Sequence, residues 1–301
     1  MDIDPALQLV WWTVIGLFVG SFLNAAIYRL PREDLSVTKP ARSFCPACKR
    51  QLSWYENIPL VSWLVQRGRC RGCSTSISWR YPLVEALTAA LWLWVAWETG
   101  VEHWDLVAVR VLVVSALIVA TFVDFELYEI PDEVSIGGML AAPLLSFLVP
   151  ALHADSPLAL EFSDGASVDR TGALLASLVG VATGYGILRL VAAVAERAYG
   201  REAMGYGDVK LLGAAGGFVG PLGALAVLLI ASFVGALVGV ANIARLQCFL
   251  RARVRARRSS RSFAHSLAAA RVAGQMLPFG PYLALGTALA LVYWKHMRGW
   301  F

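Results

Sequence analysis

Apolar residues run in stretches long enough to cross a bilayer, separated by short polar joints and two long basic ones. Since about 20 consecutive apolar residues span the hydrocarbon as a helix, the pattern predicts spans at about 7–28, 83–99, 106–123, 134–151, 171–194, 209–219, 222–244 and 274–294. The sixth is short, rich in glycine (Gly213, Gly216, Gly217, Gly220) and closed by Pro221. It reads as a broken or tilted helix packed inside the protein, where irregular backbone at membrane depth is tolerated. The first run begins with Asp2 and Asp4 and lacks a basic start and a small-residue cleavage site, so it reads as a retained span. The fold class expected is an all-α polytopic membrane protein of about eight transmembrane helices, with a polar loop after the first.

Composition agrees, with 58% hydrophobic and 16% charged residues, far from the balance of a soluble domain. The net charge of +5 reports topology, because the bases lie beside the spans. One group falls between Arg29 and Arg80 (Arg32, Lys39, Arg42, Lys49, Arg50, Arg67, Arg69, Arg71), the other between Arg245 and Arg271 (Arg251, Arg253, Arg255, Arg257, Arg258, Arg261). Eight spans and an external N-terminus put both groups in the cytoplasm, and no nucleic acid is needed to account for them. Lys295 and Arg298 fall outside in this arrangement and count against it. The same parity brings two acids at span ends, Asp124 and Asp208, to the cytoplasmic face.

An acid at such a position in a chain that avoids buried charge is a functional candidate. Asp124 follows Ala120-Thr121-Phe122-Val123 and lies deepest among its acidic neighbours Glu126, Glu129, Asp132 and Glu133. Depth favours it over Asp132, which suits the start of the next helix. Asp208 sits in Gly205-Tyr206-Gly207-Asp208, with Lys210 two residues on. A helix cap paired with Lys210 would explain the acid. It would not explain the two glycines, which permit a sharp turn and a close approach of backbone. Two carboxylates brought together can share one proton and activate water to cut a peptide bond.

The loop from 29 to 82 carries Cys45-Pro46-Ala47-Cys48 and Cys70-Arg71-Gly72-Cys73. Two CxxC pairs at this separation are a tetrahedral metal pattern. Cytoplasmic thiols stay reduced, which favours zinc or a similar soft metal over disulfides, and closed four-cysteine sites are usually structural. Cys248 stands alone as an inert residue. The acidic stretch 152–170 carries no legible motif, and no glycine-rich strand-turn-helix for a dinucleotide or S-adenosylmethionine is present.

Gly205-Tyr206-Gly207-Asp208, the Asp124 segment with Ile130-Pro131-Asp132, the two CxxC pairs, Gly20-Ser21-Phe22-Leu23-Asn24, Trp54-Tyr55-Glu56-Asn57-Ile58-Pro59, Arg80-Tyr81-Pro82-Leu83-Val84-Glu85 and Pro278-Phe279-Gly280-Pro281-Tyr282 together resemble the bifunctional prepilin peptidases, over nearly the whole chain and in order. The resemblance implies a GxGD aspartic peptidase of the bacterial inner membrane with Asp124 and Asp208 catalytic, Gly205, Gly207 and Lys210 supporting, and Cys45, Cys48, Cys70 and Cys73 on one zinc ion. It implies a substrate that is a type IV prepilin or type II secretion pseudopilin, and a second activity, N-methylation from S-adenosylmethionine. The expected organisation is a first helix (1–28), a methyltransferase-associated loop (29–82) and a transmembrane peptidase core (83–301). Three other readings compete: a peptidase whose zinc loop is only structural, a transporter, and a zinc-ribbon membrane scaffold. A transporter would more usually seat its acids near the midplane, and a scaffold leaves Asp124 and the glycine motif without a purpose.

Overall fold

The structure, a computed structural model, describes residues 4–32, 42–165, 167–200, 204–256 and 278–297. Among these are nine α-helices: α1 (Pro5–Arg29), α2 (Val61–Val65), α3 (Arg80–Thr99), α4 (Trp104–Leu127), α5 (Asp132–Leu148), α6 (Pro157–Glu161), α7 (Arg170–Tyr199), α8 (Tyr206–Ala256) and α9 (Gly280–Met297). No strand occurs among the described residues; two isolated bridges lie in the metal loop. Each of the eight apolar segments is helical over most of its described length, as the pattern predicts. Most of the arginine-rich segment, 257–277, lies outside the described residues.

Helix starts follow local chemistry. Asp4 caps α1 by accepting the Ala6 N–H at 2.8 Å, with Pro5 as the first helical residue. Asp169 accepts the Gly172 N–H at 2.7 Å and caps α7. Asp132 opens α5, in keeping with its expected place at a helix start, but as the first helical residue, since Pro131 occupies the cap.

Four helices (α1, α4, α7 and α8) are long and apolar enough to cross a membrane, which makes this a multi-pass membrane protein. Among them, 61% of the most apolar window of α4 is buried, against 17% for α1 and 22% each for α7 and α8. So α4 is the inner helix and the others turn broad faces to lipid. It joins two cores: one built with α1 and α3 around Ile27, Val84 and Val107, the other with α5, α8 and α9 around Leu212, Val227 and Leu283. Helices in lipid gain little from hydrophobic burial and associate through close packing at small residues. On α1, a Cβ added to Gly20 would lie 2.7 Å from the Glu85 Cα of α3. Gly180 and Gly184 of α7 meet the backbone of Gly216 and Leu212 of α8 in the same way.

The sixth and seventh expected spans are two helices that follow one another within α8 and meet at Gly220 (φ 78°, ψ 175°), ahead of Pro221. Proline disfavours the helical region for the residue before it, and a positive φ costs glycine nothing. Every residue from Leu211 to Gly220 is buried. The part before the break, about 14 residues and roughly 21 Å at helical rise, falls short of the roughly 30 Å hydrocarbon core, so it is an interior half-helix and not a span in its own right.

Because the helices alternate in direction, the C-terminal ends of α1, α4 and α7 and the starts of α3, α5, α8 and α9 gather at one end of the bundle. The metal loop joins α1 to α3 at that end, and an ion pair from Arg80 to Glu126 ties the start of α3 to the last turn of α4.

Candidate active site and metal centre

Asp124 lies in the last turn of α4 and is buried, 5% exposed. A carboxylate at a helix C-terminus faces the negative end of the helix dipole, so something else must hold it. That role falls to the first residue of α9, where the Gly280 N–H donates to Asp124 Oδ2 at 2.9 Å; the first amides of a helix lack internal partners and favour an anion. Gly280 admits no side chain, since a Cβ there would sit 2.5 Å from Asp124 Oδ2. The chain then leaves α4 through Tyr128 in the left-handed region (φ 57°), its N–H bonded to the Asp124 carbonyl at 3.0 Å.

Asp208 is the third residue of α8, three positions past the cap position, which Gly205 occupies. It lines the same cavity as Asp124, about 470 Å³ in volume, with Tyr128, Gly205, Tyr206 and Lys210 also on its walls. The two acids come from helices α4 and α8, and the fold brings them together. Lys210 does not serve Asp208: its Nζ bonds Asp132 Oδ1 at 2.7 Å, bracing the first turn of α8 against that of α5. Lys210 thus pairs with Asp132, and the partnership that the rival helix-cap reading would give Asp208 is absent.

The two motif glycines act by space alone. Neither has positive φ, contrary to the expected sharp turn. A Cβ on Gly207 would lie 3.1 Å from Ile130 Cβ, and one on Gly205 would lie 3.4 Å from Asp208 Oδ2. Gly207 lets α8 approach the α4–α5 connection, and Gly205 leaves room for the acid. Sequence reasoning gave Gly280 no task of its own; the only signal was its place in Pro278-Phe279-Gly280-Pro281-Tyr282. Gly280→Ala is expected to push the Asp124 carboxylate aside and lower peptide cleavage about 10²-fold, the scale of a 1 Å misplacement in an active site, with substrate binding little changed. Single-turnover rates against substrate concentration measure this directly.

The four cysteines form one cluster. Their sulfurs all lie within 4.8 Å of one another, Cys45 and Cys73 at 3.9 Å, and no disulfide joins them. With metal–sulfur bonds of about 2.3 Å, a tetrahedral site separates its sulfurs by roughly 3.8 Å, so the cluster fits a metal ion. Local structure explains the fit, because the two CxxC segments are the same knuckle twice. The Lys49 N–H donates to the Cys45 carbonyl and the Cys45 N–H to the Arg50 carbonyl at 2.8 and 2.9 Å; Ser74, Cys70 and Thr75 repeat both bonds at the same distances. Lys49 (φ 60°) and Ser74 (φ 58°) take the same left-handed turn.

Protonation also argues for a cation. Hydrogen bonds from the Cys73 and Gly72 amides lower the Cys70 thiol to about 6. At Cys48 the Arg50 amide also lowers the pKa, but desolvation and the three neighbouring sulfurs push it up to about 11. Four adjacent thiols cannot all ionise without a positive ion among them. Arg50 also braces the loop, donating to Glu56 Oε1 at 2.6 Å, while Glu56 Oε2 accepts the Ser53 N–H at 2.9 Å. The Arg50 guanidinium holds the Glu56 carboxyl below the usual range.

The chain matches two family models: the bacterial peptidase A24 N-terminal domain over residues 14–99 and the type IV leader peptidase family over residues 111–240. It is 41% identical over 232 residues to a prepilin leader peptidase/N-methyltransferase of Myxococcus xanthus, covering 77% of this chain and 62% of that relative. A protein of the same name from Aeromonas hydrophila is 31% identical over 330 residues, with 100% and 97% covered. A type 4 prepilin-like proteins leader peptide-processing enzyme of Escherichia coli O78:H11 is 37% identical over 254 residues, with 78% and 86% covered. No solved structure matches the chain. With both family regions in order and a relative covered end to end, the chain belongs to the type IV prepilin leader peptidase and N-methyltransferase family, whose peptidases are aspartic enzymes.

Proposed function

We propose that this chain removes the short basic leader from type IV prepilins or type II secretion pseudopilins at the cytoplasmic face of the bacterial inner membrane, and then methylates the new N-terminus. The observation that carries the reading is the pair Asp124 and Asp208 on one cavity, at the same end of the bundle as the four-cysteine loop. A substrate whose apolar helix lies in the bilayer and whose leader lies in the cytosol presents its scissile bond at that end. The basic residues flanking the spans support the cytoplasmic assignment.

In the peptidase step, Asp124 and Asp208 hold one water between them. The ionised member takes a proton from the water as its oxygen attacks the scissile carbonyl carbon, and the protonated member donates to the carbonyl oxygen. Collapse of the tetrahedral intermediate returns a proton to the leaving nitrogen, giving a leader carboxylate and a mature amine. The Gly280 amide fixes the orientation of Asp124 throughout. The apparent protonation constants belong to the pair and not to either acid.

Zinc is the ion proposed for Cys45, Cys48, Cys70 and Cys73; four thiolates would complete a tetrahedral site, so it would fold the loop and take no part in either reaction. The methyl donor, S-adenosylmethionine, is a co-substrate that gives its methyl carbon to the amine lone pair while the carbon–sulfur electrons return to sulfur and the nitrogen releases a proton. Incubating the purified chain with a leader-bearing pilin peptide and this donor should give two products in order: the leader-free peptide, then that peptide one methyl heavier at its N-terminus. Methylation of uncut substrate, or a cut at any other bond, contradicts the reading.

A further inference from the structure

A second cavity, about 320 Å³ in volume, lies beneath the metal loop, between it and α1 and α3. It is distinct from the aspartate cavity, yet the two meet at the end of α1: Tyr28 and Arg29 line one, Leu30 and Pro31 the other. A third cavity, among α4, α5 and α8, is lined by apolar residues apart from Glu133 and Thr287.

The second cavity is furnished for a cationic nitrogenous molecule. Asn24, 3% exposed, lines it. The Asn24 amide nitrogen is committed, donating to the Tyr81 carbonyl at 3.0 Å and the Gly20 carbonyl at 3.3 Å. Its Oδ1 is buried with no hydrogen-bond partner among the described residues. A buried acceptor left unpaired costs roughly 1–3 kcal/mol, and an N–H donor in the cavity would recover it. Glu85, 8% exposed, adds a carboxylate to the same wall; one oxygen accepts the Leu60 N–H at 2.8 Å and no ion pair holds it among the described residues, whereas Glu56 is paired with Arg50. Tyr28 and Trp63 supply aromatic faces, and the Trp63 Nε1–H is fixed on the Ile77 carbonyl at 3.2 Å.

A purine with an exocyclic amino group, joined to a sulfonium and an ammonium, has the shape and polarity this lining asks for: flat and apolar in one part, N–H donating and positively charged in others. Cavities of about 300 Å³ and upward accommodate ligands of that class. We propose that this cavity binds S-adenosylmethionine, with Asn24 Oδ1 accepting an N–H from it, Glu85 facing its positive charge and Tyr28 and Trp63 flanking the purine. The inference rests on the methyltransferase reading above and gives it a location. It also gives the metal loop a purpose, since Cys45 and Cys70 lie on the cavity lining and the loop forms its roof. The meeting of the cavities at the end of α1 lets the amine freed beside Asp124 reach the donor by a short shift along that helix end.

The test uses the full-length, metal-loaded chain in detergent and isotope-labelled S-adenosylmethionine, with affinity from equilibrium dialysis and location from ultraviolet photolabelling and peptide mapping. Asn24→Leu removes the acceptor, and Ala25→Phe fills the cavity without touching a hydrogen bond. Each should weaken binding by about tenfold or more at unchanged metal content and thermal unfolding midpoint, and label in the wild type should fall within 21–29 or 43–85. Wild-type affinity in both variants, with label outside those segments, overturns the site and leaves the methyltransferase reading standing. Absence of binding to wild type, with and without cleaved peptide, overturns both. If neither variant folds, the wild-type labelling decides alone.

Discussion

Asp124→Asn and Asp208→Asn should each lower leader cleavage by at least ~10² to 10⁴, the range of general acid–base catalysis, and by more if the pair acts as one unit. Asparagine has the size of aspartate, so the cavity keeps its shape. At position 124 its amide oxygen can still accept the Gly280 N–H that now binds Oδ2. What is lost is the capacity to take or give a proton at the scissile bond. Removing charge from a buried position relieves desolvation, so neither variant should unfold at lower temperature than wild type, and a thermal melt separates lost chemistry from lost structure. Methylation of a peptide supplied without its leader should proceed in both, because the second cavity holds neither acid. Cleavage products resolved by mass, with the pre-cleaved peptide as a parallel substrate, give both readings from one preparation.

Loss of the metal should have an equally large effect on the other activity. Cys70→Ser removes one of two buried ligands, and metal content should fall from one ion per chain to none detectable. Structural zinc supplies apparent binding energies of about 10–16 kcal/mol in small zinc domains, and this loop has little else. Its described secondary structure is a short α2, a single 3₁₀ turn and two isolated bridges. Without the ion the two knuckles lose their common point, the three remaining thiols return to water, and residues 43–77 should become sensitive to protease. Methyl transfer should then fall below detection. Cleavage should persist within about tenfold, because among the described residues the loop borders the aspartate cavity only through Leu30 and Pro31 at its start. Strong chelation of the wild type should reproduce the variant, and unchanged methyl transfer in Cys70→Ser would reject a metal-folded methylation module.

Why some of this was legible in the sequence and some was not comes down to range. Apolar runs and caps are local, so the helices appear where the pattern places them, and the glycine-rich sixth segment is interior as its composition implies. The CxxC pairs are local as well; each knuckle is complete within six residues, and only its meeting with the other is tertiary. Partner choice is not local. Lys210 lies two positions from Asp208 and bonds Asp132, 78 residues away. Asp124 is held by an amide 156 residues distant, and nothing in the sequence around either residue announces the contact. The glycines of the 205–208 motif suggested a turn because backbone freedom is the usual reason for glycine, whereas the packing of Gly207 on Ile130 shows that missing volume is what the fold uses. Asn24 carries no signature of a binding role: in the sequence it only closes the Gly20-Ser21-Phe22-Leu23-Asn24 motif, and it becomes informative when its oxygen is found without a partner.

The central claim is that Asp124 and Asp208 act together on one water. Its most direct test is the set of single-turnover cleavage rates of Asp124→Asn, Asp208→Asn and the double variant on one leader peptide, with folding checked by thermal melt. If the acids form one unit, removing the second after the first costs nothing more, and all three rates fall to the same floor. A wild-type rate in either single variant, or single variants with partial losses that multiply in the double, would show two independent carboxylates and contradict the claim.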